Sequence, residues 1–279
     1  MIKTLLQGAA LAAIFLAIWF GLSQIDFLGS VDFDRGATEK KLGKLIWKTI
    51  KETEDVITND SVVDPVERIF ERLVEKNDIN DDNIKLHIVR SSEINAFALP
   101  DGHLVVYTGL IENCKDQSEL AGVIGHEIAH IEKDHVMKKL MKEFGLAVLV
   151  NMTTGGKGAQ VGGEVLRALS SSAYDRELES EADRTSVNYL VKAKLNVEKF
   201  AEFMYGMSRN QQLPGVVYWI STHPESEERA VKILKAIEGK KLRVNDVLTK
   251  KEWEALQKAT KNAKATNEDD IEIDFDDEE

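Results

Sequence analysis

The residues best suited to chemistry lie in Gly125-His126-Glu127-Ile128-Ala129-His130-Ile131-Glu132-Lys133-Asp134, which contains the pattern His-Glu-x-x-His. On a helix, residues four apart lie on one face, one turn apart. His126 and His130 can then offer both imidazoles to a single Zn²⁺ at roughly 2.0–2.1 Å each. Glu127 follows the first histidine and stands beside such an ion rather than on it. From there it can take a proton from a water at the metal. The chain has only six histidines in 279 residues, so chance seldom sets two of them at this spacing around a glutamate.

A catalytic zinc takes three protein ligands and keeps one position open. A third histidine at the spacing His-Glu-x-x-His-x-x-Gly-x-x-His is missing: His135 falls one position short, and Lys133 stands where the glycine would be. The third ligand must come from elsewhere. The candidate stretch is Tyr174-Asp175-Arg176-Glu177-Leu178-Glu179-Ser180-Glu181-Ala182-Asp183, on a helix expected to run to about Ala193. Glu179 and Asp183 share a face, so Glu179 can bind the ion while Asp183 accepts the spare N–H of a ligand imidazole. On geometry alone Glu177 and Glu181 are alternatives. Further on, His223 in Thr222-His223-Pro224 has two functional readings. It can donate to the oxyanion of a tetrahedral intermediate, or it can occupy the open zinc position. Arg229 is a second candidate for steadying the oxyanion.

Several elements must position these groups. Asp116-x-x-Glu119 is a capping box that opens the metal helix, expected from about Asp116 to Phe144. Before it, Ile84–Val89 alternates apolar and polar residues as a half-buried strand does, with His87 on the polar phase and read as a surface residue. Asn95–Leu99 and His103–Tyr107 flank Pro100-Asp101-Gly102 and form a hairpin. The strand edge at Asn95, Ala96 and Phe97 is a place where an extended peptide could pair by backbone hydrogen bonds. Glu39–Ile57 has the spacing of an amphipathic helix, and Asp64-Pro65 reads as the start of the next. Asn151–Gly163, with five glycines, reads as a long mobile loop, either lid or linker. Val197–Ser208 reads as a packing helix, Pro224-Glu225-Ser226 as the first turn of another, and Thr249-x-x-Glu252 as the cap of a last helix reaching Ala263.

The bulk numbers restrict the function classes. The formal net charge is −12, but nine acids and no base lie in Asn267–Glu279, which leaves the rest at −3. Nothing in that balance suggests nucleic-acid binding. The single cysteine, Cys114, excludes an internal disulfide and reads as a small buried hydrophobe. Leu5–Ile25 is an apolar run without charge, long enough for a bilayer of ~30 Å. Lys3 precedes it, and Asp26, Asp32 and Asp34 follow. By the positive-inside rule the N-terminus is cytoplasmic and the remainder extracytoplasmic, periplasmic in a cell with an outer membrane. An uncleaved anchor fits better than a signal peptide, because the run exceeds an ordinary signal core and Gly21-Leu22-Ser23 makes a poor cleavage site.

Taken together, His126-Glu127-Ile128-Ala129-His130, Glu179-x-x-Ala182-Asp183 and Thr222-His223-Pro224 with Arg229 resemble the HtpX and CAAX-prenyl-protease type of zinc metallopeptidase, metallopeptidase family forty-eight. The nearest branch is the BepA-like one with a compact soluble domain. The stretch from Asn95-Ala96-Phe97 to Gly109-Leu110 resembles the segment that family carries before its metal helix. The resemblance covers roughly Asp64 to Leu234. It implies an α+β, mostly helical, gluzincin-type domain with a small β-hairpin or sheet beside the metal helix, after one transmembrane helix. It also implies one Zn²⁺ per chain on His126, His130 and Glu179, Glu127 as the base and Asp183 behind a ligand. Asp175 stands before Arg176 where the family commonly has serine. The single apolar run departs from the multi-pass members.

The expected organisation is an anchor and flank (1–28), a linker with an amphipathic helix (29–63), a zinc metallopeptidase domain (64–240), a C-terminal helix (241–264) and a disordered acidic tail (265–279). The expected function is a membrane-anchored zinc endopeptidase acting on unfolded or extended polypeptide, with misfolded envelope proteins as the substrates the resemblance suggests. The rivals are a zinc-containing chaperone or assembly factor with little proteolysis, and a metal-free helical scaffold.

Overall fold

The computed structural model describes residues 34–154, 158–210 and 215–262. The apolar run Leu5–Ile25 and the acidic tail lie outside them, so the expected anchor and disordered tail are not described. Among the described residues no helix is long and apolar enough to cross a membrane. The chain divides into two units, Met1–Thr38 and Glu39–Glu279.

The second unit is built around a four-stranded mixed sheet in the order β1-β2-β4-β3. Strand β1 (Val56–Ile57) runs antiparallel to β2 (Lys85–Val89), β2 runs parallel to β4 (His103–Tyr107), and β3 (Ala96–Ala98) returns antiparallel on β4 with Phe97 opposite Val105. The expected hairpin is therefore β3–β4. Its turn places Asp101 at φ 62° and Gly102 at φ 71°. A Cβ on Gly102 would also fall 1.7 Å from the Asn83 carbonyl oxygen, so both the conformation and the space demand glycine there.

All five residues of β4 are buried, because helices cover both faces of the sheet. Leu104 and Val106 point into the larger core, with α2 (Asp60–Asn77), α4 (Gln117–Glu132), α8 (Arg176–Ala193), α9 (Val197–Arg209) and α11 (Ser226–Ile237). Val105 and Tyr107 point into a second cluster with α1 (Arg35–Thr53), α5 (His135–Phe144), α6 (Leu146–Thr154) and α7 (Gly158–Ser171). The short helices α3 (Thr108–Asn113) and α10 (Val216–Thr222) and the last helix α12 (Lys250–Asn262) complete the body.

Several expectations are corrected. Helix α1 ends at Thr53, and the β-branched pair Val56-Ile57 instead extends the sheet. Helix α2 starts at Asp60, because the Asn59 side chain accepts from the Ser61 N–H as its N-cap, and Pro65 sits inside the helix. The metal helix does not reach Phe144. Asp134, at φ 60°, breaks it into α4 and α5. Apart from residues 155–157, which are not described, the glycine-rich stretch forms α6 and α7 rather than a loop. Helix α11 starts at Ser226, after Glu225 at φ 61°. His87 is not a surface residue: it stacks on Trp47 with ring centroids 3.7 Å apart, and its Nε2 lies 2.8 Å from His103 Nδ1.

Candidate active site

Helix α4 is held at its start by two acids, with Asp116 as the N-cap and Glu119 reaching back one residue beyond it, to Lys115 rather than to Asp116. Asp116 accepts from the N–H groups of Ser118 and Glu119, and Glu119 accepts from that of Lys115 at 2.7 Å. Gly122 lets α9 approach closely, since a Cβ there would lie 2.4 Å from the Phe200 ring. On another face, Ser186 of α8 donates to the Gly122 carbonyl at 3.0 Å. These contacts align α4 and α8 so that His126 and His130 face Glu179 and Asp183.

One donor atom from each of His126, His130, Glu179 and His223 lies within 4.8 Å of the others, and all four residues are buried. His126 Nε2 and His130 Nε2 are 3.0 Å apart. Glu179 Oε1 is 3.3 Å from His130 Nε2, and Oε2 is 3.6 Å from His126 Nε2. Four donors at roughly 2.0–2.1 Å around a tetrahedral ion stand about 3.3 Å apart, so this spacing fits a metal ion. His126 Nδ1 lies 3.1 Å from Asp183 Oδ1, close although off the hydrogen-bond direction in this conformation. A proton there leaves a lone pair on Nε2. Two buried nitrogen lone pairs facing at 3.0 Å repel each other unless a cation or a proton lies between them.

Of the three acidic candidates, Glu179 alone enters the cluster. Glu177 is exposed, and Glu181 turns to His135, 3.3 Å away. Arg229 binds Asp183 through Nε at 2.8 Å and Nη2 at 2.7 Å, and its Nη1 closes on Glu179. It is a buried clamp on two carboxylates rather than a free donor. His223 enters from the end of α10 with Nδ1 at 3.2 Å from Glu179 Oε1 and Nε2 at 3.4 Å from Glu127 Oε1. Asn95, Ala96 and Phe97 lie at the sheet's outer strand but are themselves buried. The amide next to them does the visible work: Ala98 N–H donates to Glu127 Oε2 at 3.0 Å. Glu127 Oε1 has no hydrogen bond among the described residues.

Burial dominates the electrostatics. It pushes His126, His130 and His223 down to about 4. It raises Glu127 well above the carboxylate range, helped by the charge on Glu179. Burial opposes ionisation of Glu179 too, but Arg229 and His223 together hold it well below that range. The two neighbouring carboxylates are thus driven in opposite directions.

Three residues that the motifs do not show also belong to this region. His135 Nδ1 is 3.1 Å from His130 Nδ1. Tyr174 stacks on the His130 ring at 4.0 Å. Lys139, itself buried, lies 4.3 Å from the Tyr174 ring and donates to the carbonyls of Leu169 and Ser172 at the end of α7. Composition offers one signal for Lys139: it lies on the apolar face of α5, between Val136 and Leu140.

Comparison with known proteins agrees with this geometry. A bovine (Bos taurus) relative named "Metalloendopeptidase OMA1, mitochondrial" is 32% identical over 184 residues, covering 59% of this chain and 35% of the relative. "Metalloprotease LoiP" of Escherichia coli is 28% identical over 168 residues, 55% of this chain and 63% of that protein. The "Putative beta-barrel assembly-enhancing protease" of Vibrio cholerae is 24% identical over 203 residues, 67% and 41% of the two chains. The chain thus spans between about one third and two thirds of the length of these relatives. The family model described as Peptidase family M48 matches residues 63–237, which takes in every residue of the buried cluster, and the chain belongs to that family.

Proposed function

We propose that this chain is a zinc-dependent endopeptidase, held at a membrane by its apolar N-terminal run with the catalytic domain on the extracytoplasmic side. The observation that carries the reading is the buried group of two imidazoles and one carboxylate at metal-ligand spacing, with Glu127 beside them. His126, His130 and Glu179 would hold the zinc. A bound zinc ion supplies Lewis acidity, which makes water a nucleophile near neutral pH and polarises a scissile carbonyl.

The protein's own groups do the rest. Ala98 N–H fixes one oxygen of Glu127 and leaves Oε1 free of hydrogen bonds. That oxygen is the base that takes the water's proton and returns it to the leaving amine. Asp183, gripped by Arg229, faces His126 Nδ1 at 3.1 Å and would hold that ring in the tautomer that offers Nε2. His223 reaches both Glu179 and Glu127 and serves as oxyanion donor or as a fourth donor to the ion. Strand β3 would align an extended polypeptide along its edge. The names of the relatives support peptide-bond hydrolysis, and the Vibrio protein's name supports envelope proteins as substrates.

The test is Glu127→Gln. It should retain one zinc per chain and lose at least about a hundredfold in turnover of an unfolded, fluorogenic protein substrate, as loss of general acid–base work implies. Near-normal turnover would remove the mechanism. One observation favours a second reading, a zinc-containing assembly factor that cleaves little: His126, Glu127 and His130 are wholly buried. Cellular function preserved in Glu127→Gln would select that reading.

A further inference from the structure

We infer that His135, backed by Glu181, is a positioning residue that fixes the His130 ring in the one tautomer able to offer Nε2 to a metal. This rests on the proposed reading of His126, His130 and Glu179 as ligands. His130 Nε2 faces His126 Nε2 at 3.0 Å and Glu179 Oε1 at 3.3 Å. A neutral imidazole that coordinates through Nε2 carries its proton on Nδ1. That Nδ1 lies 3.1 Å from the Nδ1 of His135. Only one proton fits between the two nitrogens, so His135 accepts through Nδ1 and bears its own proton on Nε2. This second N–H meets Glu181 Oε2 at 3.3 Å. The carboxylate therefore sets the state of His135, and His135 sets that of His130.

The two ligand rings are backed in different ways. Behind His126 stands Asp183, locked in a buried ion pair with Arg229. Behind His130 stands a fully buried neutral ring whose far end meets a carboxylate that is 41% exposed. Backbone geometry puts His135 there. On an unbroken helix at 100° per residue, His135 would point about 140° away from His130. The left-handed Asp134, at φ 60°, ends α4 and turns the first residue of α5 back onto it.

The experiment measures zinc affinity of the full chain by competition with a chromogenic chelator, together with ¹⁵N–¹H spectra that report histidine tautomers. His135→Leu should weaken zinc binding about ten- to a hundredfold, the usual effect of losing a group behind a ligand. His135→Asn puts an amide oxygen where Nδ1 was and should stay within about threefold of wild type. Glu181→Ala should leave His135 in mixed tautomers and weaken zinc binding less than His135→Leu does. Zinc binding by His135→Leu equal to wild type, or His135→Asn as weak as His135→Leu, overturns the inference. Should His135→Leu not fold, Glu181→Ala decides, because its site is partly exposed: unchanged zinc affinity with an unchanged His130 tautomer overturns the inference. Wild-type protein without zinc, or His130→Ala with normal zinc affinity, sinks the ligand reading instead, and the two failures are distinguishable.

Discussion

Replacing Arg229 by leucine should produce a stability loss whose size depends on metal. Arg229 is 4% exposed, and its guanidinium serves two carboxylates, Asp183 through two hydrogen bonds and Glu179 through Nη1. Removing one partner of a buried ion pair costs about 3–5 kcal/mol, because the remaining charge keeps its burial and loses its compensation. In a domain of this size each 1 kcal/mol moves the midpoint by about 2–4 °C. Arg229→Leu should therefore melt about 6–20 °C below wild type in the presence of a chelator. Saturating zinc supplies Glu179 with a second cation and leaves Asp183 as the main uncompensated group, so the deficit should shrink by roughly half. The assay is calorimetric or circular-dichroism melting of both proteins with chelator and with zinc. Equal deficits in the two conditions, or a chelator-state loss under about 0.5 kcal/mol, would refute the role of Arg229 as a shared counter-ion. Arg229→Lys keeps the charge but loses the fork and should fall between the two.

Other outcomes are set by equally local features. A Cβ on Gly162 would lie 2.2 Å from Thr49 Oγ1, whereas one on Gly163 meets nothing within 4 Å. In chemical denaturation Gly162→Ala should lose about 1–3 kcal/mol by overpacking, and Gly163→Ala should gain up to about 1 kcal/mol from helix propensity. Burial, followed by the charges of His103 and Lys85, pushes His87 down to about 3, and burial followed by Lys85 pushes His103 down to about 4. Both folded values lie below the unfolded one, near 6.5, so the native state binds fewer protons between them. Stability from this pair is complete above about pH 6.5 and falls with acid towards pH 3–4, by up to about 1.4 kcal/mol per ring per pH unit. His87→Phe, which can keep the stack on Trp47, should show a shallower loss than wild type in urea unfolding between about pH 6 and 4. Cys114 is fully buried, and burial raises its thiol well above the usual range, so a thiol reagent should react only at the rate of unfolding.

The site is legible where one residue type has one good use. The helix start at Asp116, the His-Glu-x-x-His pair and the strand character of Lys85–Val89 each follow from a local rule, whereas one-turn spacing leaves Glu177 with Glu181 open beside Glu179 with Asp183, and only the family resemblance chooses between them. What escapes a local rule depends on long-range contact. The break at Asp134 uses a left-handed aspartate where glycine is usual, so helical periodicity runs through it unmarked. The glycines of 158–163 suggest a loop, but Val161, Val165 and Leu169 have a core to enter, and tertiary burial outweighs propensity. His87 reads as polar only until Trp47, forty residues earlier, is known to lie over it. Arg229 reads as a free donor because nothing in its own helix announces that two acids of α8 already claim it.

For its first fourteen residues the helix that carries the two histidines has no outside. Every residue of α4 from Gln117 to His130 is buried, so it lacks the polar stripe on which most helices absorb neutral change. Drift over generations has nowhere to settle along those fourteen positions. Variation among descendants of this chain has to accumulate instead on surfaces such as the outward lysines of α1, where solvent forgives a substitution.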